Sequence, residues 1–452
     1  MKIEHSVKEE QGGVMREASI SQAAVLQEHA VVDANRREAF GPAPPEERLA
    51  HIDFIRGCAL FGVLAMNLQY FFRGPYELYT GGGHPWPGFI DGCVDDALNL
   101  LVEGKAMTLF SMLFAVGLAI QLERKEARGG SFWGFAWRRM GTLFAFGVAH
   151  VVLIWNGDIL AAYAMVGILL FPILRRKTKT LHIWLVAMFG LLTAAVLVIG
   201  FIQAFKPPSD PHRIQRMAEA AAWAQACIEG YGQTGWWNSL LFRLQDYAEH
   251  AAEFFAAYAV VLLNFLVGLS VWRTGILQDP SAHLPKIRRA AFWLVGLGLV
   301  TGVVDLFGRP LMAFVRSHGL WAKPLVVPLA LSKIYHMPLL GLGFGALLLL
   351  AWQSGKGRNA LQPITSVGRM ALTNYLAQSL VMTAIFYGWG LGLYGKVGPA
   401  VGLGITASLY LLQVTASRWW LTRFRFGPME WLWRCAGYAR TQPFRLRSPL
   451  PA

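Results

Sequence analysis

Long apolar runs separated by short polar loops dominate the chain. Runs near 53–72, 104–122, 138–156, 158–174, 181–204, 254–272, 290–307, 325–352, 367–388 and 398–416 approach or exceed the length needed to cross roughly 30 Å of hydrocarbon at about 1.5 Å per residue. The pattern predicts ten transmembrane helices in an all-α polytopic bundle spanning 48–416. Residues 1–47 are polar, charged and end in GPAPPEE, which predicts a disordered cytoplasmic tail. One long outward loop, 205–250, contains RIQRMAEAAAWAQACIEGY, a stretch with helical spacing and an Ala/Trp face that would lie on the outer surface or cover the mouth of the bundle. Beyond the last span, 417–452 includes FGPMEWLWRCAGYAR, an amphipathic cytoplasmic segment. The run 325–352 is too long for one straight crossing and is interrupted by SKIYHMP. It predicts either a kinked or discontinuous helix, or a tilted one whose lower half begins after Pro338.

Composition agrees with this reading. The chain is 55% hydrophobic and only 15% charged, which excludes an ordinary soluble domain. Its net charge of +14 suggests nucleic acid only until the basic residues are placed. Thirty of the 41 fall in the two tails and one alternating set of loops, a bias that puts both termini in the cytoplasm and accounts for the charge by topology. No nucleic-acid partner is expected; the partner is the lipid bilayer. The four cysteines fit no metal spacing, and no metal is expected; Cys93 and Cys227 both lie in outward loops, where a disulfide is compatible with the compartment.

Ionisable and amide side chains within such runs are costly, so each is a candidate for chemistry. In GVAHVVLIWNGDILAAYA, Asn156 and Gly157 make a tight turn between two neighbouring spans, so His150 and Asp158 can approach as a histidine–carboxylate general base. The alternative is that Asp158 caps the next helix and His150 is a satisfied core residue. Asp53 and Arg56 share a helix face at the start of the first span. They could hold an anionic substrate or cofactor, or be an interfacial anchor. Asn67 lies deep in the same span, and Lys105 opens the second. Lys333 and His336 flank the break near Pro338 and would serve a transporter. In GRMALTNYLAQS, Asn374, Gln378 and their neighbours form one polar stripe, either a substrate groove or interhelical hydrogen bonding.

Taken together, Asp53-x-x-Arg56-Gly57, Asn67, the FSMLF run, His150 with WNGDIL, GRMALTNYLAQS and FGPMEWLWR resemble the YeiB family of bacterial inner-membrane proteins, from Arg48 to about Arg440. That family resembles the heparan-alpha-glucosaminide N-acetyltransferase group. The resemblance implies a multi-pass inner-membrane acyltransferase that takes an acyl group from cytoplasmic acyl-CoA, such as acetyl-CoA, and delivers it to an envelope glycan or lipid-linked acceptor. It implies His150 as base with Asp158 orienting it, Asp53, Arg56 and Asn374 on the cofactor side, and Asn67 toward the acceptor. The group places an essential histidine between the first two spans, where this chain offers only His84. A secondary transporter using Lys333 and His336 is the alternative function.

Overall fold

The computed structural model describes residues 48–72, 86, 88–127, 129, 131–206 and 211–446. The expected disordered tail 1–47, together with Arg73 and His84, lies outside the described residues. Helices form the described chain, with a single isolated bridge between Phe424 and Arg445. In order they are α1 (Ala50–Phe72), α2 (Phe89–Leu101), α3 (Lys105–Ala127), α4 (Trp133–Leu153), α5 (Leu160–Leu174) and α6 (Thr178–Phe205). Two helices, α7 (Pro211–Gly232) and α8 (Trp236–Glu249), make up the long loop, followed by α9 (Ala251–Arg273), α10 (Leu284–Leu306), α11 (Gly308–Ser317) and α12 (Val326–Gln353). The chain continues through α13 (Gly355–Leu361), α14 (Ile364–Arg369), α15 (Ala371–Phe386), α16 (Pro399–Leu421) and α17 (Pro428–Tyr438).

Contacts divide the chain into a small unit, which includes Arg48 and 120–135, and a large one formed by 49–119 and 136–452. Within the small unit Lys125 Nζ lies 5.1 Å from the centre of the Phe135 ring. Everything below concerns the large unit.

Six helical segments are long and apolar enough to cross a membrane, and three shorter apolar helices accompany them. With α4, they account for all ten predicted spans. The most apolar stretch of α6 has no residue buried inside the protein, as expected of a helix facing lipid. Gly57 of α1 and Gly368 of α14 let these two helices lie against each other: a Cβ on Gly368 would stand only 1.8 Å from the Asp53 carbonyl oxygen.

Of the two readings of the long run near Pro338, the discontinuous helix is not found. Helix α12 continues through Pro338 for 28 residues, and a 3-10 turn, Leu320–Leu325, precedes it. Helix α10 packs along α12, closely so beyond the proline where Gly298 meets Leu340 and Gly343 meets Val295, and neighbouring helices are what let a membrane helix tolerate an internal proline. The discontinuity falls instead at Val102–Gly104, between α2 and α3. Gly104 takes φ +73°, and a Cβ there would lie 2.3 Å from the Met337 sulfur.

One carboxylate of the C-terminal segment is built into the bundle. Helix α15 has no side-chain cap of its own at Met370. The buried Glu430 of α17 replaces it, accepting from the Leu372 N–H (2.7 Å), the Thr373 N–H (3.1 Å) and the Thr373 hydroxyl (2.5 Å). GRMALTNYL and FGPMEW are thus two halves of one helix cap.

Glu430→Ala strips these donors of their acceptor and should cost about 2 kcal/mol or more, read as a lower Tm of the detergent-solubilised protein. Burial holds the Glu430 carboxyl above the usual carboxylate range, against the opposing pull of its hydrogen bonds. With a native pKa above the unfolded one, the native state keeps its proton longer. This group's linkage therefore favours folding at low pH and is lost as pH rises through the raised value. Glu430→Gln should flatten that part of the pH–stability curve; an unchanged slope would contradict the assignment.

Candidate functional site

The corner between α4 and α5 brings the histidine and carboxylate together. Helix α4 ends where the His150 carbonyl accepts from both Ile154 and Trp155 N–H, each at 2.9 Å. The chain then turns through Asn156 and Gly157. Gly147 permits the return: a Cβ there would lie 2.3 Å from the Ala161 nitrogen, so only glycine lets the two backbones come this close. As a result, Asp158 Oδ1 lies 3.0 Å from His150 Nδ1, while Oδ2 accepts from the Ala161 N–H at 2.7 Å. The carboxylate therefore caps α5 and holds the imidazole at the same time, so the two readings of its role coexist.

Both side chains are almost completely shielded, 0% and 2% exposed. His150 Nε2 has no hydrogen-bond partner. The ring packs against Tyr375, at 5.2 Å between centroids, and Trp155, at 6.4 Å. The Tyr375 hydroxyl donates to the Gly157 carbonyl and accepts from the Ile159 N–H, so α15 braces the corner from the side.

Asp158 lines a cavity of about 460 Å³, and His150 stands behind it. The walls come from α1 at Asn67 and Tyr70, the α2–α3 turn at Glu103 and Gly104, the corner from Trp155 to Ala162, and the aromatic Tyr258, Tyr375, Tyr387 and Tyr394. The α7–α8 hairpin supplies Trp223, Tyr231, Asp246 and His250, so the long loop does cover this end of the bundle. Among the described residues, seven tyrosines and two tryptophans line the cavity, with three carboxylates and no lysine or arginine. Such a surface suits the face of an apolar or polyhydroxylated ring.

Cations gather elsewhere. Arg56 Nη1 donates to Asp53 Oδ1 at 2.7 Å, and both are partly exposed. Eleven residues of helix, about 16 Å, separate Arg56 from Asn67. Arg56 and Arg434 are close enough to Arg139 for their charges to act on it, and Arg139 lies flat on Trp433 at 3.4 Å. This end of α1 has the forked donors that a phosphate or carboxylate needs.

Other expected site residues fall outside the cavity. Asn374 Nδ2 donates to the Ser417 hydroxyl at 3.0 Å, and Gln378 Nε2 donates to Gln413 Oε1 at 2.7 Å. Together they form a polar seam between α15 and α16. Lys105 is buried and donates to the Asn99 carbonyl at 2.7 Å. His336 is also buried, with Nε2 lying 3.8 Å from Asp305 Oδ2, whereas Lys333 is exposed. Lys105 and His336 adjoin Gly104 and Met337, which line the cavity. All four cysteines are free; Cys93 is exposed and Cys227 lines the cavity. Among the described residues no group of three or more His, Cys, Asp or Glu could hold a metal.

A helical bundle that buries a histidine–carboxylate pair beside an aromatic cavity defines a polytopic α-helical membrane protein. Comparison with known proteins places it more narrowly. Residues 271–440 match the family described as "Protein of unknown function (DUF418)". The chain is 32% identical over 417 residues to "Uncharacterized protein YxaH" of Bacillus subtilis (strain 168), covering 89% of this chain and 97% of that protein. It is 30% identical over 400 residues to "Uncharacterized protein YeiB" of Escherichia coli (strain K12), covering 86% and 96%. The chain belongs to this YeiB-like family.

The glycine that admits the corner makes a sharp test. Gly147→Ala should destabilise by about 1–3 kcal/mol, because the α4–α5 backbones must separate. Gly141→Ala on the same helix meets nothing within 4 Å and should leave the Tm unchanged or slightly raised. Equal Tm values for the two variants would contradict the close approach.

Proposed function

We propose that the protein is a membrane acyltransferase of the bacterial inner membrane, with both termini cytoplasmic. It moves an acetyl-like acyl group from acyl-CoA to an envelope sugar or lipid-linked acceptor seated in the aromatic cavity. The observation that carries this reading is the His150–Asp158 contact at 3.0 Å: Asp158 lines that cavity, and the histidine behind it keeps Nε2 without a hydrogen-bond partner. A carboxylate that fixes one imidazole nitrogen and leaves the other unpaired is the arrangement a general base requires. Because Asp158 faces the cavity and His150 stands behind it, the two act as one unit on the acceptor hydroxyl or amine. In the transfer the acyl carbon–sulfur bond breaks and a bond to acceptor oxygen or nitrogen forms. The acceptor's proton leaves through the pair, and CoA departs as the thiol. The arginines near Arg56 suit the donor's phosphates, whereas the cavity does not.

Label from radioactive acetyl-CoA should enter membrane glycan or lipid in wild-type membranes. His150→Ala and Asp158→Asn should each lower incorporation at least 100-fold at equal protein in the membrane. Full activity in His150→Ala would sink the assignment.

The α2–α3 break favours a second reading. Lys105, His336 and Asp305 come from three helices and act on one another electrostatically beside it. Buried ionisable groups at a helix discontinuity mark ion paths in transporters. On that reading solute flux would follow the proton gradient without acyl-CoA, and His336→Asn would uncouple it. Gradient-independent flux, or none, would remove this alternative.

A further inference from the structure

The α7–α8 hairpin does more than cover the cavity. Four residues of α8, Ser239, Leu240, Arg243 and Asp246, are buried at helical spacing, so the helix docks by one face. Two of them grip the α4–α5 corner. Arg243 is fully buried, and its Nη1 donates to the Val152 carbonyl at 2.9 Å. That carbonyl belongs to the last turn of α4, where backbone acceptors lack helical partners and a cation is favoured. One turn further on, Asp246 Oδ2 accepts from Asn156 Nδ2 at 2.6 Å and from the Tyr231 hydroxyl at 2.6 Å, while Oδ1 lies 3.1 Å from His250 Nδ1. Both oxygens of Asp246 are therefore spent inside the protein, although its side chain borders the cavity. Such a carboxylate has little left for a ligand and much to hold in place.

Val152 and Asn156 both lie within the stretch that leads from His150 to Asp158. We infer that Arg243 and Asp246 are positioning residues: they clamp this corner from the hairpin side and so fix the geometry of the His150–Asp158 pair, while Tyr375 braces it from α15. The consequence for activity rests on the acyl-transfer reading; the clamp itself does not.

Only one guanidinium nitrogen, Nη1, makes a hydrogen bond, and Nε and Nη2 have no partner. A lysine can supply that single charged donor, whereas methionine keeps the bulk and supplies none. In Arg243→Met, hydrogen exchange of peptides covering 150–162 should quicken about tenfold or more, with α6 unchanged. The kcat for acetyl transfer should fall about tenfold or more with the KM for acetyl-CoA unaltered, and Arg243→Lys should restore both. Asp246→Asn, which keeps the side-chain volume, should give the same pattern if the methionine variant does not fold. Exchange at the wild-type rate in a folded Arg243→Met or Asp246→Asn protein would overturn the clamp. Quickened exchange with unchanged kcat would overturn the positioning role. Exchange is read without substrate, so a wild type inactive on acetyl-CoA would count against the proposed function and leave the clamp to the exchange result.

Discussion

Hydrocarbon supplies no hydrogen bonds, so every helix end and every polar side chain within the span must find its partner in the protein. The turn from α4 into α5 meets that requirement with unusual economy. Asp158 satisfies a free N–H of the incoming helix and a buried imidazole at once, and Arg243 satisfies a carbonyl of the outgoing one. The same solution that makes a tight corner tolerable also places an oriented histidine behind a carboxylate that lines a cavity. Structural need and candidate chemistry share the same atoms here.

The rest of the architecture is arranged around that corner. Helix α1 connects two contrasting ends, one with forked cations and one with an aromatic, acid-lined cavity, about three turns of helix apart. The tyrosine walls gather side chains from elements far apart in sequence: Tyr231 stacks on Tyr387 at 4.8 Å, and Phe71 lies between Trp155 and Phe386. At the opposite end of the chain, Glu430 caps α15 and thereby ties the C-terminal helix to the helix that carries Tyr375. A substitution in the C-terminal segment can therefore reach the corner through α15, without touching the cavity.

Much of this was legible in the residues, and the failures have physical causes. A helix at each of the ten apolar runs follows from run length, six of them long and apolar enough to cross a membrane, and the His150–Asp158 approach follows from the shortness of WNGD. Local stereochemistry at Pro338 left a discontinuous and a tilted helix both open; the helix runs on through the proline with α10 packed along it, and the discontinuity appears at Gly104, a single glycine in an otherwise helical pattern. Arg243, Asp246 and Tyr231 gave no signal, because charged and aromatic residues in a loop between spans look like a solvated surface until the loop is seen to fold back. Tyr375 lay one position from Asn374 in the polar stripe. The amide marks the α15–α16 seam, whereas the phenol turns to the corner, a distinction of about 100° around the helix that sequence cannot assign without knowing the neighbours.

The acyl-transfer reading places donor and acceptor at opposite ends of a stretch of α1 about 16 Å long, which makes its sidedness the most direct test. Sealed vesicles of both orientations would be given labelled acetyl-CoA from outside only, and incorporation into glycan or lipid would be measured for each. The account predicts label only in the orientation that presents the termini and the Arg56 end to the donor, with the product on the opposite face. Equal incorporation from either face, or product formed on the donor's own side, would contradict it.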